Sequence, residues 1–157
     1  MVRLADLPAW DQKVKLQRIQ ELPRFEGQPW VTTRSLARCR VALVTTAGLH
    51  RKGDRPFGPT AHATDYRIIP GDTAAADLTM SHQSVNFDRS GFQEDHNVVF
   101  PIDRLRELAR ENIIGSVADL HYSFMGAAPI KDLQPKAREL AGLLKQDGVD
   151  AVLLTPV

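Results

Sequence analysis

A single cysteine, Cys39, stands in 157 residues, so the chain can build neither an intramolecular disulfide nor a cysteine-based metal site. That economy suits a reducing compartment. Cys39 sits between Arg38 and Arg40, which would lower its thiol pKa if both side chains approached it; the plainer reading is a small half-buried residue entering a strand. No apolar stretch reaches the roughly 18 residues a membrane helix needs, and Asp6, Trp10 and Asp11 stand where a signal peptide would carry its apolar run. No membrane partner is expected, and the cytoplasm is the expected location. Twenty Lys and Arg meet nineteen Asp and Glu with no run of one sign, so the long-range field that a nucleic-acid partner requires is missing. Also absent are the Gly-x-Ser-x-Gly elbow, the Walker phosphate loop and a Gly-x-Gly-x-x-Gly turn after a strand. Hydrolase, NTPase and nicotinamide-enzyme readings weaken accordingly.

What is present describes an ordinary globular protein. Apolar residues make up 43% and charged residues 25%, and the length suits one domain. The expectation is a single α/β domain over 1–157, with an N-terminal helical arm over 1–39 and a sheet core over 40–157. Trp10, Val14, Leu16 and Ile19 recur at near-helical spacing before Pro23, and Gly27, Pro29 and Trp30 break the pattern that follows. A short helix from Thr33 leads into Arg40-Val41-Ala42-Leu43-Val44-Thr45-Thr46-Ala47-Gly48, which reads as a buried parallel strand. Residues 49–63, with Gly53, Pro56, Gly58 and Pro59, read as a long loop. Short strands are expected over 65–70 and 76–80, irregular structure over 81–97, a helix over 101–111 and a strand over 117–122. A helix over 133–146 ends before Gly148, and 149–157 has the near-continuous apolar character of a strand covered on both faces. This alternation implies a mostly parallel sheet with flanking helices, three-layered and Rossmann-like or flavodoxin-like, and incomplete at its C-terminus because the last strand has no helix after it.

In open parallel sheets, ligands bind beyond the carboxyl ends of the strands, so the segments after Ala47, Met80, Tyr122 and Val157 should share one rim. Four histidines, His50, His82, His96 and His121, fall in the expected strand-end segments. They are the candidates for acid–base work, since the imidazole pKa lies near neutrality. Thr45, Thr46, Ser81, Asn86 and Ser123 are the candidates for holding a small-molecule substrate. Arg51, Lys52 and Arg55 are either carboxylate binders or a solvated basic loop. His82, Asp95, His96 and His121 are chemically suited to zinc or iron, but no His-Glu-x-x-His spacing supports a metal, and none is assigned.

Six segments, read in order, resemble the glycine/sarcosine/betaine/D-proline reductase selenoprotein B family. They are Val41-Ala42-Leu43-Val44-Thr45-Thr46-Ala47-Gly48-Leu49-His50, Asp65-Tyr66-Arg67, Ser81-His82-Gln83-Ser84, Asn97-Val98-Val99-Phe100-Pro101-Ile102-Asp103-Arg104-Leu105, His121-Tyr122-Ser123-Phe124-Met125-Gly126, and Asp147-Gly148-Val149-Asp150-Ala151-Val152-Leu153-Leu154-Thr155-Pro156-Val157. The likeness covers most of 41–157. It implies a reductase that cleaves a carbon–heteroatom bond at the α-carbon of an amino acid or related compound, with a reductase partner subunit or a thiol electron donor. It also implies a reactive selenocysteine directly after the strand matching 149–157, and a cysteine two residues later. No cofactor is expected in this chain itself. Selenocysteine is encoded by UGA, which ordinary translation reads as a stop, so the chain is expected to be the part upstream of the reactive residue. Two alternatives stand beside this: a binding or accessory subunit without chemistry, and a histidine-dependent metal enzyme.

Overall fold

The computed structural model describes residues 3–24, 27, 31–58, 63–83 and 88–157. Its contacts divide the chain into two compact units, Met1–Val31 and Thr32–Val157. The first unit holds helix α1 (Ala9–Glu21), which starts directly after Pro8, where a missing N–H is harmless, and stops before Pro23. Gln12 Nε2 donates back to the carbonyl of Leu7 at 2.7 Å, and Lys15 pairs with Asp11 one turn away.

The second unit is built on strand β1 (Arg40–Thr45). Strand β7 (Ala151–Thr155) lies parallel along one edge, in register from Val41↔Ala151 to Thr45↔Thr155. On the other edge β5 (Ser116–Val117) and β6 (Leu120–Phe124) follow one another end to end, both parallel to β1. From Val41 to Val44 is three steps along β1, while their partners Val117 and Tyr122 are five steps apart. The edge therefore carries two extra residues, and the ladder is broken around Ala118 and Asp119. Strand β3 (Tyr66–Pro70) closes the far side of β6, antiparallel, from Tyr66↔Phe124 to Pro70↔Leu120. Strands β2 (Leu49–Arg51) and β4 (Leu78–Met80) form a separate antiparallel pair.

Side chains of β1 alternate between two cores, as a strand's period of two demands. Val41 and Leu43 join Ile69, Phe100, Ile114 and the inner face of helix α3 (Ile102–Arg110), where Ile102 and Leu105 are buried. Ala42 and Val44 join Tyr122, Phe124 and helix α4 (Ile130–Gln146) through Leu140 and Leu144. Tyr66 reinforces that side: its ring lies 5.7 Å from Tyr122 and 5.5 Å from Phe124, and its hydroxyl donates to Glu139 of α4 at 2.8 Å. A fourth, short helix, α2 (Ser90–Glu94), precedes α3.

At the amino end of β1, Arg40 gathers three segments. Its guanidinium donates to the Asp147 carbonyl and carboxylate, each at 3.0 Å, to the Val117 carbonyl at 3.3 Å and to Asp119 at 3.0 Å, while its N–H donates to Asp150 at 2.9 Å. The C-terminal end of α4, the start of β7 and the end of β5 are thereby tied to one residue.

The α/β class is as expected, but the sheet is mixed, with the order β3, β6, β1 and β7, and it is not the purely parallel Rossmann-like or flavodoxin-like sheet read from the sequence. The reason lies in 49–63, which holds no helix among its described residues. Without a crossover helix after β1, the next sheet strand returns antiparallel. Arg67 pins this loop: it donates to the carbonyls of Arg55 (2.7 Å) and Pro56 (3.0 Å), and its guanidinium lies 4.3 Å from the centre of the Phe57 ring. Smaller departures are local. The helix expected from Thr33 is a single 3-10 turn at Leu36–Arg38, Leu49–Arg51 is strand where loop was read, and Ser90–Glu94 is helical where irregular structure was read. Strand β6 ends at Phe124, two residues past the expected end.

Strand β7 is not sandwiched between the two helices. Val152 and Leu153 remain 37% and 41% exposed and Leu154 68%, so apolar side chains show on both faces beside a backbone edge that is unpaired among the described residues. Such an edge, with no charged residue or bulge within Ala151–Thr155 to blunt it, invites association. The 157-residue chain should self-associate with rising concentration in sedimentation velocity. Leu154→Lys should shift it toward monomer with an unchanged circular dichroism spectrum. A wild-type chain that stays monomeric at every concentration would refute this reading of the edge.

Candidate functional site

The carboxyl ends of β1, β6 and β7 meet at one rim, as parallel strands require. Thr46, the residue after β1, joins them. Its N–H donates to the Thr155 carbonyl at 3.2 Å, and its Oγ1 accepts the N–H of Val157 at 2.8 Å. Gly126, just beyond β6, makes room: a Cβ there would lie 2.5 Å from Thr46 Cβ, and its φ of +78° is left-handed. The end of β4 reaches the same place, because Ser81 N–H donates to the Gly48 carbonyl at 2.9 Å and the backbone of His82 packs on Gly48. The His82 side chain is nearly buried, and its pKa is lowered by that burial and by the nearby Arg89, so the neutral imidazole is the resting form. Thr46 thus holds the exit of β7, and the end of β4 packs on Gly48, two residues along the chain from Thr46.

Thr45 and Ser123 lie just beneath this rim and are fully buried. Thr45 Oγ1 accepts from Ala47 N–H at 3.2 Å, and Ser123 Oγ accepts from Leu49 N–H at 2.7 Å. Both hydroxyls hold the turn out of β1 and into β2. Thr155 Oγ1, opposite Thr45 in the ladder, is buried with no partner among the described residues. Asn86 lies outside the described residues.

The remaining histidines are elsewhere. His121 is the second residue of β6, within the core, with its ring 5.7 Å edge-on from Phe100. The break between β5 and β6 removes the carbonyl that Leu43 N–H would meet in an unbroken ladder, and His121 Nδ1 takes its place at 2.9 Å. Accepting at Nδ1 puts the ring proton on Nε2. That atom is buried without a partner among the described residues, against Gly71, whose Cβ would stand 3.2 Å away. Burial, followed by the charges of Arg106 and Arg40, pushes the pKa down to about 4 despite the opposing pull of Asp147 and Asp119. His121 is a neutral ladder element, not a rim group. His50 pairs with Thr79 in the β2–β4 ladder; its Nδ1 meets the Arg51 carbonyl at 3.0 Å, and its buried Nε2 has no partner among the described residues. His96 belongs to a third cluster: its Nε2 is 3.2 Å from Asp103, which also receives Asn97 and Arg106. Arg106 reaches on to the Gly71 carbonyl.

The basic trio does not form one anion site. Arg51 is bound to Asp54 at 3.0 Å, Lys52 lines a cavity of about 430 Å³ with Asp72 and Asp77, and the Arg55 carbonyl serves Arg67. Among the described residues no three His, Cys, Asp or Glu side chains are gathered to hold a metal ion, so His82, Asp95, His96 and His121 do not make a ligand set. Cys39 is buried, and its Sγ contacts the carbonyls of Arg34 and Ser35. No helix among the described residues is long and apolar enough to cross a membrane. Sequence reasoning missed the Thr46–Gly126 contact; its signal was a glycine two residues past a strand. It also missed Arg40 as a clamp, for which a lone arginine at a strand start gives no signal.

Comparison with known proteins adds an independent line. The family model for the glycine/sarcosine/betaine reductase selenoprotein B matches residues 15–157. The D-proline reductase subunit gamma of Acetoanaerobium sticklandii is 41% identical over 125 residues, covering 78% of this chain and 50% of that protein. The glycine reductase complex component B subunit gamma of Symbiobacterium thermophilum is 34% identical over 140 residues, covering 85% and 32%. The sarcosine reductase complex component B subunit beta of Peptoclostridium acidaminophilum is 32% identical over 149 residues, covering 90% and 33%. This chain thus spans half the length of the first relative and about a third of the other two. No solved structure matches it significantly.

His121 supplies a pH test. Its folded pKa, about 4, lies below its ordinary value of 6.5, so between these values the unfolded chain binds the extra proton. Stability should fall as pH drops from about 6.5 to about 4, by an amount on the order of 3 kcal/mol from this group. Denaturant unfolding at a series of pH values checks this. His121→Gln, which keeps an acceptor but does not titrate, should flatten the slope in that window; an unchanged slope would contradict the assignment.

Proposed function

The chain belongs to the glycine/sarcosine/betaine reductase selenoprotein B family, and from that premise we propose that it forms the scaffold of a substrate-cleaving component in a reductase complex. The reaction is reductive cleavage of a carbon–heteroatom bond in an amino acid or related compound. The substrate carbon gains a hydrogen, the heteroatom leaves protonated, and two electrons come from a dithiol or thiol donor that ends as a disulfide. The observation that carries this reading is where β7 goes. A strand whose Val152, Leu153 and Leu154 side chains stay partly exposed delivers its carboxyl end to Thr46 at the rim.

In this reading the chain is the part upstream of a selenocysteine that follows Val157, and further polypeptide covers β7. A selenolate, ionised at neutral pH, would supply the nucleophile there. A nearly buried imidazole held toward its neutral form, and a serine, at the end of β4 where it packs on Gly48, support this reading. His82 serves as the proton-handling group and Ser81 as a hydrogen-bond partner for substrate, with Asn86, outside the described residues, a further candidate. Thr45 and Ser123 hold the floor. His121 and His50 support the strands, and His96 braces the start of α3 through Asp103.

The gene decides the central point. The codon after Val157 should be TGA, with a cysteine codon two residues on and an open frame beyond. A TAA or TAG stop with no frame following would favour a binding or accessory subunit. The selenium-containing full product should release the leaving group from its substrate only with a thiol donor present. His82→Ala should lower turnover by about 10²-fold or more, and His96→Ala should do so far less. Equal losses in the two variants would contradict the placing of the site at the rim.

A further inference from the structure

The rim contains one residue whose side chain touches the exits of three strands at once. Thr46 follows β1, its methyl and hydroxyl occupy the space left by Gly126 after β6, and its hydroxyl receives the Val157 N–H after β7. A threonine is suited to this place for two separate reasons. Its methyl Cγ2 fills the gap, standing 3.1 Å from where a Gly126 Cβ would be, and its hydroxyl alone offers the acceptor. The backbone bond from Thr46 N–H to the Thr155 carbonyl would survive any substitution here except proline, so the ladder itself does not need the hydroxyl. The hydroxyl acts one step later. It catches the first amide beyond Pro156, a residue that cannot itself donate.

We infer that Thr46 is the positioning residue of the rim, its hydroxyl setting the direction in which the backbone leaves β7. The inference rests on the proposed function, in that a reacting group carried just after β7 is aimed by this bond. In this role Thr46 acts through the backbone it holds.

Thr46→Val keeps the shape and removes the acceptor, whereas Thr46→Ser keeps the acceptor and loses the methyl. Hydrogen exchange of the Val157 amide, followed by NMR on the 157-residue chain, reads the bond directly. Thr46→Val should accelerate exchange at Val157 by about fivefold or more, the equivalent of one hydrogen bond, with β1 amides unchanged, and Thr46→Ser should restore protection. An unprotected Val157 amide in the wild type, or equal exchange in Thr46→Val, overturns the proposal. In the full gene product Thr46→Val should lower kcat with KM unchanged, and Thr46→Ser should recover it. Altered exchange with an unaltered kcat overturns the positioning role. If the wild-type product has no reductase turnover, the reading of the function fails, and the exchange measurement still decides whether Thr46 holds the backbone.

Discussion

The second unit depends on a hydrogen bond that no ladder rule would supply, from Leu43 N–H to the imidazole of His121. Strand β1 is paired on both edges with other strands of the main sheet, and one of those edges is broken by two extra residues. A buried amide left unpaired at the break would cost about 1–3 kcal/mol. The imidazole closes the gap and lets β6 resume in register at Val44↔Tyr122. That resumption brings Phe124 and Gly126 to the level of Thr46. Without it the carboxyl ends of β1 and β6 would not meet.

The two ends of β1 are secured by different chemistry, suited to their surroundings. At the amino end Arg40, a fork of rigid donors, spans carbonyls and carboxylates from α4, β5 and the approach to β7. Charge is tolerable there because the side chain is partly open to water. At the carboxyl end a hydroxyl and a glycine do the joining, which leaves the rim without a fixed charge from these groups. The fixed charge nearest His82 is instead Arg89, which donates to the His82 carbonyl.

Much of the framework was legible in residue patterns. The apolar run from Val41, the periodicity of Leu105 with Leu108, and Leu140 with Leu143 and Leu144, place β1, α3 and α4 because burial of a face leaves a period in the sequence. The meeting of Thr46 with the exit of β7 follows from the rule that parallel strands end on one rim, whereas Ser81 and His82 follow β4 of the separate antiparallel pair. The antiparallel return of β3 was hidden, since Tyr66 to Pro70 has the same composition in either direction. His121 was misplaced for a similar reason. A histidine two residues inside a strand and one just beyond its end differ by a small shift in boundary, yet one is a neutral structural acceptor and the other a rim group. Tyr122 and Ser123 moved with it, which turned Ser123 from a substrate candidate into the acceptor for Leu49 N–H. The long loop kept its loop character, but its hold came from Arg67, a residue in the next strand, and nothing local announces that.

The family assignment and the structure bear on different parts of the account: one names the chemistry of relatives, and the other shows how this chain would present it. The structural part relies on β1 being a continuous spine. The most direct measurement is the nitrogen NMR spectrum of the His121 ring with its coupling to the Leu43 amide. The account predicts a neutral ring with the proton on Nε2, an unprotonated Nδ1 and a through-hydrogen-bond coupling to Leu43, all persisting down to about pH 5 as the lowered pKa requires. A proton on Nδ1, or a ring already charged at pH 6, would contradict it.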